Sequence, residues 1–249
     1  MTVEADLLTA HERDATAKPG VPGTVSQPAT TSPPADGKSA KTTGGDGTGD
    51  IDKMTAEGNV RVTTSKGKVT GDHGVYDVDQ HVALVTGNNL KYETDRETVT
   101  AKKSLEYWED KKIAVARGDA VAVDGDRHVE GDVLTAQFRD LPNGKSELHT
   151  MTAEGHVTVI TANDVSRGNR AVYDISRNIA ILTGNVRITR ADGTQLTGDV
   201  GEVDFAANQS RLLNEGKGRV RALLASKTTP KNGGTKGVTQ ASVPAATAQ

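Results

Sequence analysis

Six histidines and two copies of a Val-Tyr-Asp motif are the groups in this chain best suited to catalysis or metal binding. The histidines are His11, His73, His81, His128, His149 and His156. Their positions do not match any metal-ligand spacing, and the chain has no cysteine to supply a thiolate, a disulfide or a nucleophile. P-loop, Rossmann and Gly-x-Ser-x-Gly motifs are also absent from the sequence. We therefore predict that the protein uses no metal or cofactor and is not an enzyme.

The Val-Tyr-Asp motif occurs at 75–77 and again at 172–174. It recurs as part of a longer repeat, and Val-Asp-Phe replaces it at 203–205. A catalytic group has no need to recur in this way. We interpret the motif as the signal for a strand that runs into a turn.

The composition limits the partners of the chain. The formal net charge is −3, hydrophobic residues make up 34% and aromatic residues 3% of the 249 residues. This balance gives no attraction to nucleic acid or to an anionic membrane, and there is no run of about 18 apolar residues for a membrane span. The first residues do not resemble a signal peptide. Residue 3 already lies inside a repeat unit, so we expect either that the natural start lies upstream, with any signal peptide, or that the sequence is a fragment.

The dominant feature is an internal repeat. The pentapeptide Met-Thr-Ala-Glu-Gly occurs at 54–58 and at 151–155, and 54–88 aligns without a gap to 151–185, with 16 of 35 positions identical. A second match joins 3–14 to 129–140, with 8 of 12 positions identical. A fixed period of this kind is the signature of a repeat architecture. We predict a first copy that comprises 3–14 and 51–128, and a second copy at 129–225.

Two segments fall outside the copies. Residues 15–50 are rich in Pro, Gly, Thr and Ser, and 226–249 are of low complexity. Neither segment has enough apolar residues to offset the entropy of ordering. We predict that both are disordered.

Within each copy, apolar residues alternate with polar ones at period two, as in Val60/Val62 and Val157/Val159. This period indicates half-buried strands. In 69–78 the apolar phase changes beside Gly71, which predicts a bulge that turns the strand. The result is an all-β stack of short antiparallel strands whose unpaired edges invite another copy.

These residues resemble a known family. "MTAEGNVRVTT", "GVYDVDQHVALVTGN", "LTGNVRITRADGTQLTGDVGEVDF" and "GKGRVRALL" are similar to the OstA-like domain of periplasmic lipopolysaccharide-transport proteins. The resemblance covers residues 3–224 except the insertion. It implies an open twisted β-jellyroll with an apolar interior that holds acyl chains. It also implies periplasmic localisation, head-to-tail homo-oligomers, and inner- and outer-membrane transport components as partners.

The resemblance and the alternation together give a predicted lipid-binding groove. Its predicted inward residues are Val60, Val62, Tyr76, Val78, Leu84, Tyr107, Val121, Val123, Phe138, Val157, Val159, Tyr173, Ile181, Val186, Ile188, Val203 and Phe205. Periodicity alone favours a closed β core, and it is the family resemblance that favours a groove. The basic residues Arg61, Arg187, Lys217, Arg219 and Arg221 either meet lipid phosphates or form a solvated strand face.

Three functions are consistent with the sequence. The first is a lipopolysaccharide carrier that bridges the inner and outer membranes without catalysis. The second is a structural or adhesive β-repeat scaffold with a closed core. The third is an inner-membrane-anchored relative with the same fold, which requires a transmembrane helix upstream of the sequence.

Overall fold

The protein is all-β, and every strand pair is antiparallel. The computed structural model describes residues 2–13, 50–207, 209–213 and 220–224. Apart from Asp50, the predicted disordered segments 15–50 and 226–249 lie outside these residues. The strands are β1 Thr2–Glu4, β2 Leu7–Glu12, β3 Ile51–Thr64, β4 Gly67–Asp77, β5 Val82–Thr86, β6 Leu90–Glu93, β7 Glu97–Ala101, β8 Ser104–Trp108, β9 Ile113–Asp124, β10 Arg127–Asp140, β11 Ser146–Ile160, β12 Asp164–Asp174, β13 Ile179–Arg190, β14 Gln195–Asp204, β15 Gln209–Leu213 and β16 Arg221–Leu223. No helix of the length and apolarity that a membrane crossing requires is found in the described part of the chain.

The strands form one hydrogen-bonded network that folds over into two facing sheets. Each long strand contributes one half to each sheet, because its two halves pair with different neighbours. For example, residues 113–117 of β9 pair with β8, whereas residues 121–124 pair with β7. Sheet I has the order β2-β3-β4-β5-β8-β9-β10-β11-β12-β13-β14-β15, and sheet II has the order β1-β3-β4-β6-β7-β9-β10-β11-β12-β13-β14-β16.

A column of tight corners joins the two sheets along one side. In β11, Gly155 and His156 both have positive φ, at 74° and 47°, and the pairing with β12 shifts at this point. A Cβ on Gly155 would collide with the Asp132 carboxylate, whose Oδ2 lies 3.0 Å from His156 Nδ1. Gly58 and Asn59 form the same corner in β3, where Asn59 donates to Asp6 at 2.9 Å. Glycine fits here because it adopts positive φ without steric cost.

The corners explain the repeated pentapeptide. Met54 and Ala56 lie on the inner face of sheet I, Glu57 points outward, and Gly58 turns the chain into sheet II. The predicted bulge lies opposite Gly71 on the neighbouring strand, since Glu57 and Val60 of β3 pair with His73 and Gly71 of β4. The two halves of β4 pair with β6 and β5 on either side of residues 71–72. The division into two copies remains a prediction.

The inner face of each sheet carries an almost wholly apolar row that crosses every strand. In sheet I the row contains only Ala, Gly, Val and Leu: Leu8, Ala56, Gly74, Val85, Leu105, Ala116, Leu134, Ala153, Ala171, Leu182, Gly201 and Leu212. In sheet II the row has Ser166 as its only aliphatic-hydroxyl residue: Val3, Val62, Val69, Tyr92, Val99, Ala122, Val129, Val159, Ser166, Ile188, Leu196 and Ala222. Residues of both rows pack into one buried cluster. The core is therefore the space between the two sheets.

Candidate functional site: the groove between the sheets

A cavity of about 370 Å³ lies between the two sheets. Val99, Ala122 and Val129 line it from sheet II, and Met151 and Ala171 line it from sheet I. This volume falls in the range of small-molecule sites in proteins, which are mostly apolar with a few polar groups. Most of the side chains that line this cavity are apolar.

Small side chains keep this space open. Ala122, Ala153, Ala171 and Ala180 stand at inner positions beside the cavity, where a leucine or isoleucine would close it. Protein interiors are normally packed to the density of organic crystals. Four alanines around one cavity therefore leave room for a guest molecule.

The groove is open along the strand ends that lie away from the corner glycines, and we call this opening the mouth. Its two sides differ in polarity. On sheet II the row at the mouth is polar and includes Glu97, Asp124, Arg127, Asp164 and Arg190, which we call the polar lip. On sheet I the corresponding positions are apolar and include Val78, Phe138, Ile175 and Phe205, which we call the apolar lip. The polar lip is richer in charged side chains than the apolar lip, although Glu147 of β11 also lines the cavity.

Aromatic and basic groups meet at the centre of the mouth. The Tyr173 and Phe205 rings contact edge to face, with centroids 5.0 Å apart. The Arg127 guanidinium lies 5.1 Å from the centre of the Phe205 ring and donates to the Tyr173 hydroxyl at 3.4 Å. Burial raises the pKa of Tyr173, although Arg127 opposes that shift. The phenol therefore stays neutral, and it donates to Asn178 Oδ1 at 2.5 Å.

Glu97 is the unusual acid of the site. Its strand partner in the pairing of β7 with β9 is Asp124, a second acid. Burial, and then the charge of Asp124, raise the pKa of the Glu97 carboxyl, with Arg96 opposing. Like charges directly opposite each other destabilise a sheet, so this pair costs folding free energy at neutral pH.

Most of the predicted inward residues face the groove. Val60, Val157, Val159, Val186, Ile188 and Val203 are at most 3% exposed. Tyr173 and Phe205 line the cavity. Val62, Tyr76, Val78, Tyr107 and Phe138 have the phase of the inner rows. Lipid contact by any of these residues remains a prediction.

Three predicted residues face the wrong way. Leu84, Val121 and Ile181 lie on the outer face, because their neighbours Val85, Ala120 and Leu182 take the inner positions. Strands β5 and β13, which contain Leu84 and Ile181, are apolar on both faces. In β9, which contains Val121, the valines lie on the outer face and the smaller alanines on the inner face. Val123 has the phase of Val121, but it stands near the end of β9 and still lines the cavity.

Several inner residues, most of them small, were not among the predicted groove residues. Ala122 and Ala153 line the cavity, and Leu105, Leu134 and Leu182 are buried in the core. Alanine gives a weak hydrophobic signal beside valine. The signal that could have found these residues is their fixed distance from the corner glycines, such as Ala153 two residues before Gly155.

The predicted basic residues that the structure describes are exposed to solvent, and the two Val-Tyr-Asp motifs form turns. Arg61 is half-exposed and lies 3.6 Å from Glu4, while Arg187 and Arg221 are exposed. Lys217 and Arg219 lie outside the described residues. The aspartates of the two Val-Tyr-Asp motifs cap turns, since Asp77 accepts from the Gln80 N–H at 2.8 Å and Asp174 accepts from the Arg177 N–H at 3.1 Å. The side chains that could bind a metal ion are dispersed: within the described ranges, no three His, Asp or Glu side chains are arranged to hold one.

Part of the chain is similar to known proteins. Residues 98–209 match the family described as "LptA/(LptD N-terminal domain) LPS transport protein". LptH of Pseudomonas aeruginosa, the LptA-homologous periplasmic component of the lipopolysaccharide transport device, has a solved structure that resembles this one with a TM-score of 0.45 at 18% identity. The match covers 54% of this chain and 100% of that chain. No curated protein sequence matches the chain significantly.

The matched residues include β8 to β14 and every cavity-lining residue except Glu97. Residues 98–209 are therefore similar to the family of LptA and LptD N-terminal lipopolysaccharide-transport domains.

Proposed function

We propose that this protein is a periplasmic carrier of lipopolysaccharide, which holds acyl chains between the two sheets and takes part in lipopolysaccharide export. The observation that carries the proposal is the cavity between two apolar inner rows. A scaffold with a closed core has no use for such a space. The family of segment 98–209 supports lipopolysaccharide as the cargo.

Burial of acyl chains supplies the binding free energy. Each methylene removed from water contributes about 0.8 kcal/mol, so a few buried methylenes give useful affinity. The inner rows offer no charge to this part of the lipid, and no covalent step is needed. Binding of this kind is non-covalent and therefore reversible.

Photocrosslinking from inside the groove tests this proposal. Benzoylphenylalanine in place of Phe205 puts a photoreactive ring of similar shape at the cavity wall. We expect saturable adducts with lipopolysaccharide, located on the acyl chains by mass spectrometry. A folded variant without acyl-chain adducts would contradict the proposal.

Both ends of the stack are unpaired and apolar, which supports head-to-tail assembly. All eight exposed large hydrophobic side chains among the described residues lie at the two ends: Leu7, Leu8, Ile51 and Met54 at one, and Leu213, Val220, Leu223 and Leu224 at the other. Unpaired strand edges are templates for another chain. A row of subunits would also extend the groove toward the inner- and outer-membrane components.

The strand directions are compatible with antiparallel pairing between the two ends of neighbouring copies, and continuity of the inner rows favours one register. β15 and β16 run from sheet I to sheet II, whereas β1 and β2 run from sheet II to sheet I. A second copy therefore continues the antiparallel order with Leu8 opposite Leu212 and Val3 opposite Ala222. Both inner rows then pass unbroken into the next subunit.

Cysteine pairing tests the register, because the natural chain has no cysteine. In a mixture of Leu8→Cys and Leu212→Cys proteins we expect oxidation to give a disulfide-linked dimer, since directly opposed strand residues have a Cα separation that suits a disulfide. Arg211→Cys is the matched control, because Arg211 faces outward on the same strand. Equal crosslinking of both pairs would exclude this register.

A further inference from the structure

The carboxylates of Glu97 and Asp124 are free to meet a ligand. Both line the cavity. Glu97 is half-buried, and among the described residues no side chain forms a hydrogen bond or ion pair with either carboxylate. Buried polar groups normally have partners. The two acceptors therefore stand at the mouth with unused hydrogen-bonding capacity.

The charged groups around Glu97 leave a negative balance. Asp124 lies opposite it on β9, and Tyr92, Glu147 and Tyr173 approach from β6, β11 and β12. Arg127 is the one cation that lines the cavity, and it is already engaged with the Tyr173 hydroxyl and the Phe205 ring. Arg96 precedes Glu97 on the exposed turn.

A charge at this position acts strongly on a bound ligand. The cavity walls are apolar, and charges interact more strongly where water is excluded. An anionic group placed at the mouth would meet the two carboxylates, opposed only by the single positive charge of Arg127, whose guanidinium also contacts Tyr173 and Phe205. A hydroxyl or an amide N–H would instead find two strong acceptors.

We infer that Glu97 and Asp124 select which part of a lipid lies at this mouth, taking an uncharged hydrogen-bond donor and excluding an anionic group. This inference rests on the proposed carrier function and deepens it. The acyl chain lies under the apolar lip, and its neighbouring hydroxyl or amide donates to the polar lip. Phosphates of the same lipid lie outside this part of the groove.

Two matched amphiphiles test the inference. N-tetradecanoyl ethanolamine and N-tetradecanoyl taurine share the chain and the amide, and they end in a hydroxyl and a permanently charged sulfonate. Binding is measured by calorimetry with the full chain, below the micellar concentrations. At pH 7.5 we expect the sulfonate to bind about fivefold more weakly.

Glu97→Gln should reduce this difference to less than about twofold, because the amide keeps the shape and removes the charge. Glu57→Gln is the control, since Glu57 is exposed on the outer face of sheet I. Lowering the pH to 5 should also reduce the difference in affinity between the two amphiphiles for the wild-type protein, because the raised pKa of Glu97 favours its neutral form. The sulfonate keeps its charge over this range.

The outcomes separate the inference from the proposed function. Equal binding of both amphiphiles by the wild type, or tighter binding of the sulfonate, overturns the selectivity and leaves lipid carriage intact. If the Glu97→Gln variant keeps the same difference in affinity between the two amphiphiles, the proposed selectivity is also overturned. If neither amphiphile binds, the inference falls together with the carrier function.

Discussion

Replacing Leu182 by alanine should lower the free energy of unfolding by about 2–5 kcal/mol, because a fully buried leucine leaves a cavity when it is truncated. Leu182 is 0% exposed in the inner row of sheet I. Its neighbour Ile181 is the matched control, since it lies on the outer face of the same strand and is partly exposed. We expect Ile181→Ala to cost less than about 1.5 kcal/mol.

Chemical denaturation of both variants measures this difference. The comparison tests the phase of β13, which fixes the inner face of the whole stack. Equal costs at the two positions, or a larger cost at Ile181, would show that the inner and outer faces are assigned wrongly.

Filling the cavity should abolish most lipid binding. Ala122→Trp places a large ring where Val99 and Val129 line the space from the same sheet, and we expect lipopolysaccharide affinity to fall by at least about tenfold, which is 1.4 kcal/mol. Val121→Trp is the control, because Val121 pairs with Glu130 on the outer face. It should bind nearly as the wild type does.

Overpacking alone can destabilise a core by about 1–3 kcal/mol. The melting temperature of each variant is therefore measured before binding, and Ala122→Leu supplies a smaller side chain. A well-folded Ala122→Trp protein with unchanged affinity would place the lipid somewhere other than between the sheets.

The sequence predicts the fold well where apolar and polar residues alternate regularly along a strand. Val60, Val157 and Val186 each follow a corner glycine by two residues and have polar neighbours, so their burial was foreseeable. The phase was ambiguous in strands that are apolar on both faces. Leu84 and Val85 are neighbours of similar hydrophobicity, and only the pairing with Gly74 and Leu105 shows that Val85 is inside.

The polar lip was harder to foresee than the core. Glu97, Asp124 and Arg127 lie on three different strands and approach one another only through the register of β7, β9 and β10. Single-strand periodicity contains no such information. The apolar lip was partly visible, because Val78 and Phe205 extend the apolar phase past the ends of β4 and β14, and Phe138 continues it near the end of β10.

The most direct test of the central claim compares two photoreactive aromatic positions. Phe205 lines the cavity, whereas Trp108 lies on the outer face of sheet I with Lys111 4.1 Å from its ring. Benzoylphenylalanine is placed at each site, and crosslinking to lipopolysaccharide is measured at increasing lipid concentration. We predict saturable acyl-chain adducts from position 205 and only weak, unsaturated labelling from position 108. Equal labelling at the two positions, or labelling confined to position 108, would contradict lipid carriage between the sheets.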